Sequence, residues 1–176
     1  HRDIKPDNIM LTTGDRVVKV TDFGLAKNAA TITQTNAKIR VGTPAFMSPE
    51  QCDGHKLDLR SDMYSLGCTA YVALTGRLPF EGETPFAIML KHKAETVPHV
   101  RAAMPGVAPE IDALIYRLMA KDREDRWETW DGLIEAVQGL LDSRGGPTMT
   151  YSKSELGIPA LAEPALAEEA VAGLAR

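Results

Sequence analysis

Asp3, Lys5 and Asn8 fall within the first eight residues of the chain, and Asp22 follows fourteen positions after Asn8. These residue types and spacings suit phosphoryl transfer, which asks for little covalent help. It needs an oriented hydroxyl nucleophile, metal ions bridging phosphates, and charge to balance the transition state. Asp3 can accept the hydroxyl proton and aim the oxygen. Lys5, two residues on, can reach the transferred phosphoryl oxygens. Asn8 and Asp22 are hard oxygen donors suited to Mg²⁺, which takes a few carboxylate or amide ligands and completes its shell with phosphate and water. Asp3 and Asp22 each have a plainer reading, since Asp in loops commonly caps backbone turns. With Lys5 and Asn8 in register, the chemical reading is favoured.

Two further segments extend the pattern. Asp22-Phe23-Gly24 follows the loop His1-Arg2-Asp3-Ile4-Lys5-Pro6-Asp7-Asn8, and Ser48-Pro49-Glu50 comes after both. Together, in this order, they resemble the signature motifs of eukaryotic-like protein kinases. Lys5 and the Gly42-Thr43-Pro44 stretch resemble the serine/threonine branch. Met47-Ser48-Pro49-Glu50-Gln51 and Ser61-Asp62-Met63-Tyr64-Ser65-Leu66-Gly67 resemble bacterial members most closely. The similarity covers residues 1–142.

The resemblance implies a mainly α (α+β) fold: a protein-kinase-like C-lobe of helices with short β-hairpins at the catalytic cleft, the N-lobe being absent. It implies transfer of the γ-phosphoryl group of ATP to Ser/Thr hydroxyls of protein substrates, with Mg²⁺ (or Mn²⁺) as cofactor. Asp3 and Lys5 would be catalytic, Asn8 and Asp22 metal ligands, and Lys5, Asn8, Met10 and Asp22 the ATP-binding set. Met10 resembles the apolar residue under the adenine ring; its plainer reading is a core strand residue. His1, Phe23 and Gly24 are read as structural support, with His1 and Phe23 stacking between the lobes. Glu50 and Arg60 resemble a buried ion pair at the end of the activation segment, and Asp62 a residue that hydrogen-bonds the catalytic-loop backbone. Arg126 either ties the helix preceding it to the Glu50 region or is a surface residue. Thr43 resembles the substrate-positioning threonine that bridges Asp3 and Lys5.

Regulation follows from charge. Arg2 lies directly before Asp3 and repels Lys27, and a phosphothreonine would relieve that repulsion by receiving charge-assisted hydrogen bonds from both. Thr33 and Thr35, with Thr31 beside them, are the expected autophosphorylation sites, and a kinase homodimer is the expected partner for phosphorylation in trans. The alternative is a polar solvated loop without regulatory role.

Elements must hold these residues in place. Residues 9–11 and 17–20 are short apolar or β-branched runs around Thr13-Gly14-Asp15 and predict a hairpin. Residues 27–40 are polar, rich in threonine and aperiodic, which predicts a loop. Ser61–Leu74 is apolar on nearly every side, the pattern of a buried central helix, and Gly76 stops it. Thr84-Pro85 opens a helix to about Glu95. Pro109 opens another, with Ile111, Leu114, Ile115, Leu118 and Met119 on one face. Thr129 caps the last, with Leu133, Ile134, Val137, Leu140 and Leu141 expected to be buried. His55, His92 and His99 lack partners at ligand spacing and are read as surface residues; Trp127 and Trp130 are read as packing.

Composition bounds the rest. With 176 residues, 44% apolar and 25% charged, the chain suits one globular domain with a core. A net charge of -4 lacks the basic footprint of a nucleic-acid binder. Cys52 and Cys68 are the only cysteines and form no metal or disulfide pattern, in keeping with a reducing, cytoplasmic compartment. Residues 143–176 turn to Ala, Glu and Pro and are read as a flexible linker or tail. Membrane anchoring by a segment beyond Arg176 and a soluble protein remain equal alternatives.

No glycine-rich loop, strand lysine or helix glutamate of the kinase type occurs in the chain; the resemblance places them before His1. The 176 residues alone are therefore expected to bind ATP poorly and to turn over little. A pseudokinase scaffold or binding module is the alternative to an active enzyme. The lysine and glycines of the preceding segment discriminate the two.

Overall fold

The apolar run after Ser61 forms a helix around which the other described elements are arranged. The computed structural model describes residues 1–13, 17–22 and 44–143. Phe23, Gly24, Lys27, Thr31, Thr33, Thr35 and Thr43 lie outside these residues, as does the tail beyond Ser143.

Pro6–Asn8 makes a short 3₁₀ turn with proline at its start, where no amide donor is needed. It leads into β1 (Ile9–Leu11), which pairs antiparallel with β2 (Val18–Val20). The register sets Ile9 opposite Val20 and Leu11 opposite Val18. A second 3₁₀ turn, Pro44–Phe46, is buried and runs into α1 (Pro49–Cys52). The hydroxyl of Ser48 caps α1 by accepting from the Gln51 amide, and the Gln51 side chain reaches back to the Ser48 amide, a reciprocal capping box.

Helix α2 (Leu59–Thr75) starts at an Asp58 cap and ends at Gly76, whose φ of 68° satisfies the left-handed C-terminal position. Met63, Tyr64 and Cys68 are fully buried on it, whereas Leu59 and Leu74 at its two ends are each 40% exposed. One cluster joins Tyr64, Cys68 and Tyr71 of α2 to Ala45, Phe46, Phe80, Val97, Val100, Ile115 and Met119. A second joins Met63 to Leu118 and Leu133. Between the two, α2 crosses α5 (Pro109–Leu118) at Gly67, where a Cβ would lie 2.8 Å from both Leu118 Cβ and Met119 Cγ. Glycine is required there by the close approach of the helices.

Helix α3 (Pro85–Ala94) opens as expected, with the Thr84 hydroxyl accepting from Ala87 N–H at 3.1 Å. It packs on the Pro44–Phe46 turn and α1, while the short α4 (Val100–Ala103) packs on α2 and α5. Helix α6 (Trp130–Ser143) begins at Thr129, whose hydroxyl accepts from Gly132 N–H. Its expected burial is only partly realised. Leu133 is buried, but Ile134, Val137 and Leu141 expose 47%, 38% and 41%. Among the described residues the helix presents only Leu133 to the second cluster, and nothing described covers the rest of its apolar stripe.

Contacts divide the chain into residues His1–Leu140 and Leu141–Arg176; of the second unit only the last turn of α6 is described. Among the described residues no helix is long and apolar enough to cross a membrane.

Candidate active site

The 3₁₀ turn folds the catalytic-loop candidates onto one another. Lys5 Nζ lies 3.0 Å from Asp3 Oδ2, and both side chains are largely covered. Asn8 is buried and donates through Nδ2 to the Asp3 carbonyl at 2.8 Å and to Asp3 Oδ2 at 3.2 Å. Asp3, Lys5 and Asn8 thus form one hydrogen-bonded cluster. Thr21 N–H donates to the Asn8 carbonyl at 2.8 Å, so the hairpin register brings Asp22 to the Asn8 end of the ribbon. Asp22 is exposed there.

The loop is tied down from three sides. Asp62, in the first turn of α2, accepts from Arg2 N–H and from the backbone nitrogen of His1, each at 2.8 Å. His1 Nδ1 accepts from Asp3 N–H at 3.3 Å, which leaves Nε2 to donate to the Thr21 carbonyl at 2.9 Å. Gln51 Nε2 donates to the Arg2 carbonyl at 3.2 Å. His1 and Asp62 therefore support the site and do not react in it. Arg2 and Asp22 have φ of 68° and 55°, the two positive values at non-glycine residues among those described. Each costs about 1–2 kcal/mol, and such strain concentrates where function requires a set backbone.

Met10 is 53% exposed on β1, across from Lys19, while Leu11 and its partner Val18, on the other face of the ribbon, are each 61% exposed. The reading of Met10 as a core strand residue fails among the described residues, none of which covers its side of the ribbon. A recess lies between the loop and the turn before α1, lined by Arg2, Asp3, Ile4, Phe46, Met47 and Gln51.

The expected Glu50–Arg60 pair is not formed. Glu50 is paired with Arg126: Nη1 to Oε1 at 2.7 Å and Nη2 to Oε2 at 3.0 Å. Ser61 Oγ adds a third donor at 2.7 Å. Burial by itself would raise the Glu50 carboxyl pKa, but the hydrogen bond and charge of Arg126, with Ser61, outweigh it and hold the group below its usual value. Arg126 also donates to the carbonyls of Ala120, Arg60 and Lys121 and lies over the Tyr64 ring. Arg60 turns outward instead, to Asp58 at 2.8 Å and Glu124 at 2.6 Å. Asp58, the N-cap two residues earlier, captures its guanidinium locally.

His92 is likewise misplaced by its polarity. It is fully buried under Tyr64 and Phe80, with Nδ1 2.9 Å from the Tyr64 hydroxyl. His99 is exposed, as expected, and bonds Asp112. Trp127 packs under the Arg117 guanidinium. Gln51 was not singled out by the sequence, although Ser48-x-x-Gln51 spells a capping box.

Among the described residues no three His, Cys, Asp or Glu side chains gather as a metal cage. One amide oxygen and one carboxylate at the same end of the hairpin make a sparse donor set. It fits Mg²⁺, which keeps several waters and shares phosphate oxygens, and does not fit a zinc or calcium cage.

Comparison with known proteins agrees with this geometry. The protein kinase domain matches residues 1–137. The chain is 47% identical over 133 residues to a probable serine/threonine-protein kinase PknB of Bifidobacterium longum, covering 73% of this chain and 19% of the relative. It is 44% identical over 145 residues to serine/threonine-protein kinase Pkn1 of Myxococcus xanthus, covering 80% and 21%. Identity to serine/threonine-protein kinase PknB of Mycobacterium tuberculosis is 42% over 133 residues, covering 73% and 21%. The chain spans about a fifth of the length of these curated relatives. The motif order, the hydrogen-bonded loop and this kinship together place the chain in the protein kinase family, among its bacterial-type serine/threonine members.

Proposed function

We propose that this chain forms the larger lobe of an active serine/threonine protein kinase, which transfers the γ-phosphoryl group of ATP to Ser and Thr hydroxyls of proteins. The observation that carries the proposal is the Asp3–Lys5–Asn8 hydrogen-bonded cluster, with Asp3 on the edge of the recess beside Gln51. Asp3 accepts the hydroxyl proton and aims the oxygen. Lys5, bonded to the same carboxylate, balances charge on the transferred phosphoryl oxygens. Asn8 and Asp22 would hold Mg²⁺ or Mn²⁺, which neutralises developing charge on the phosphates when bound. The exposed Met10 side chain on β1 suits an apolar ring such as adenine.

In the same proposal, Thr33 and Thr35, with Thr31, are phosphorylated in trans by a second copy, and Arg2 and Lys27 receive the phosphate; Thr43 positions the substrate. The 176 residues alone are inactive, because no described residue cradles the α- and β-phosphates. The test is Asp3→Asn in the full-length gene product. Loss of a proton acceptor in the transition state costs about 10²–10⁴-fold in kcat. Unchanged phosphorylation of a generic protein substrate would overturn the assignment.

A further inference from the structure

We propose that Gln51 is a positioning residue of the phosphotransfer site, setting the peptide that carries Asp3 through its hydrogen bond to the Arg2 carbonyl. The inference rests on the reading of Asp3 as the base. Gln51 occupies the third position of α1, and its side chain does two things at once. Oε1 accepts from Ser48 N–H at 2.9 Å and closes the capping box. Nε2 donates to the Arg2 carbonyl at 3.2 Å, across 49 residues of sequence. Only one orientation of the amide satisfies both: the flipped group would set oxygen against the Arg2 carbonyl and nitrogen against the Ser48 N–H.

The carbonyl it holds is a particular one. Arg2 is left-handed, with φ of 68°, and its own N–H is fixed by Asp62 Oδ1. The next peptide has its N–H on His1 Nδ1 and its carbonyl on Gln51. The Arg2–Asp3 peptide is therefore gripped at both ends, and its rotation would swing Asp3 away from Lys5 and Asn8. Gln51 is the member of that grip belonging to the segment that follows the Pro44–Phe46 turn, which is itself tied to α2 through the Ser65 hydroxyl and the Phe46 carbonyl. Gln51 and Asp3 line the same recess. The order of that segment is thereby transmitted to the base.

Capping alone does not require glutamine. Glutamate serves a capping box equally well and suits the positive end of a helix. It lacks the N–H that the Arg2 carbonyl needs. Gln51→Glu thus separates the two roles: the cap survives and the grip is lost.

The experiment compares Gln51→Glu and Gln51→Met with the parent full-length gene product, measuring kcat, KM for ATP and thermal midpoint. A misaimed base reduces kcat by about 10- to 100-fold. We expect that loss in Gln51→Glu, with KM for ATP within about twofold and the midpoint preserved. Gln51→Met, which also loses the bond from Ser48 N–H that closes the capping box, should show the same loss of kcat with a lowered midpoint. Parental kcat in Gln51→Glu, or a loss that only tracks the unfolded fraction in both variants, overturns the proposal. Asp3→Asn run in parallel separates the failures. If it keeps parental turnover, the reading of the base falls; if it is inactive while Gln51→Glu is fully active, the positioning role alone falls.

Discussion

Arg126 closes a bidentate pair on Glu50 from 76 residues away, and its guanidinium is wholly shielded from solvent. Every oxygen and nitrogen of the pair is engaged: Ser61 bonds the carboxylate, and three backbone carbonyls bond the guanidinium. The pair fastens the start of α1 to the chain just before α6. With the hydroxyl of Ser65 on the Phe46 carbonyl, it fixes the whole wall of the recess opposite Asp3.

Removing one partner of such a pair strands the other as a buried charge. Arg126→Ala or Glu50→Ala should therefore destabilise the fold by about 3–5 kcal/mol. Arg60→Ala breaks exposed pairs and should cost no more than about 1 kcal/mol. Urea denaturation of the three variants checks the order; equal losses for Arg60 and Arg126 would contradict it. The pH dependence has a definite sign. Because the Glu50 carboxyl is held below its usual value of 4.5, its contribution is present above that pH and is lost as pH falls through the lower, folded value.

Gly67 offers a second test. Its Cβ position is 2.8 Å from Leu118 Cβ, an atom fixed to the α5 backbone, and 3.3 Å from the Leu118 carbonyl carbon. The side chain cannot rotate away, so Gly67→Ala must push α2 and α5 apart. Overpacking of this kind costs about 1–3 kcal/mol, which outweighs the gain of up to about 1 kcal/mol that alanine brings over glycine in a helix interior. A lower urea midpoint with an unchanged m-value is the expected result. A more stable variant would mean that the helices separate freely.

What the sequence reveals depends on how far apart the partners are. Asp3, Lys5 and Asn8 lie within one turn, so their meeting follows from chain geometry and could be read directly. The helix caps at Ser48, Asp58 and Thr84 are equally local. Glu50 is different: two arginines, 10 and 76 residues away, compete for it, and no local rule chooses. Asp58 decides by taking Arg60, an effect visible only once α2 begins where it does. On α6 the apolar stripe shows which face would be buried but not how much neighbouring surface exists. The burial of His92 is hidden in the sequence for a related reason. The histidine follows Ile88 by four residues on the buried face of α3, and its polarity masks that spacing.

His92 also makes the sharpest prediction about pH. Burial lowers its pKa to about 4, helped by the Lys121 charge and partly opposed by the Ala45 backbone. The groups facing it are the Tyr64 hydroxyl, the Phe80 ring, and Lys121, whose Nζ donates to the His92 carbonyl at 2.8 Å and lies over Phe80. Among the described residues Nε2 makes no hydrogen bond of good geometry, so an added proton there would be buried and repelled by Lys121, with only the Ala45 backbone to favour it. The unfolded imidazole binds a proton below about 6.5, and the folded one only below about 4. Between those values the unfolded chain holds more protons, so stability rises with pH across the window. The depression corresponds to about 3 kcal/mol at most. Urea midpoints between pH 5 and 7, above the range in which Glu50 titrates, should therefore fall steadily on acidification. His92→Gln can still accept from the Tyr64 hydroxyl but carries no titrating group, so the same acidification should leave its midpoint much less changed. An identical slope in both proteins would locate the pH dependence elsewhere in the fold.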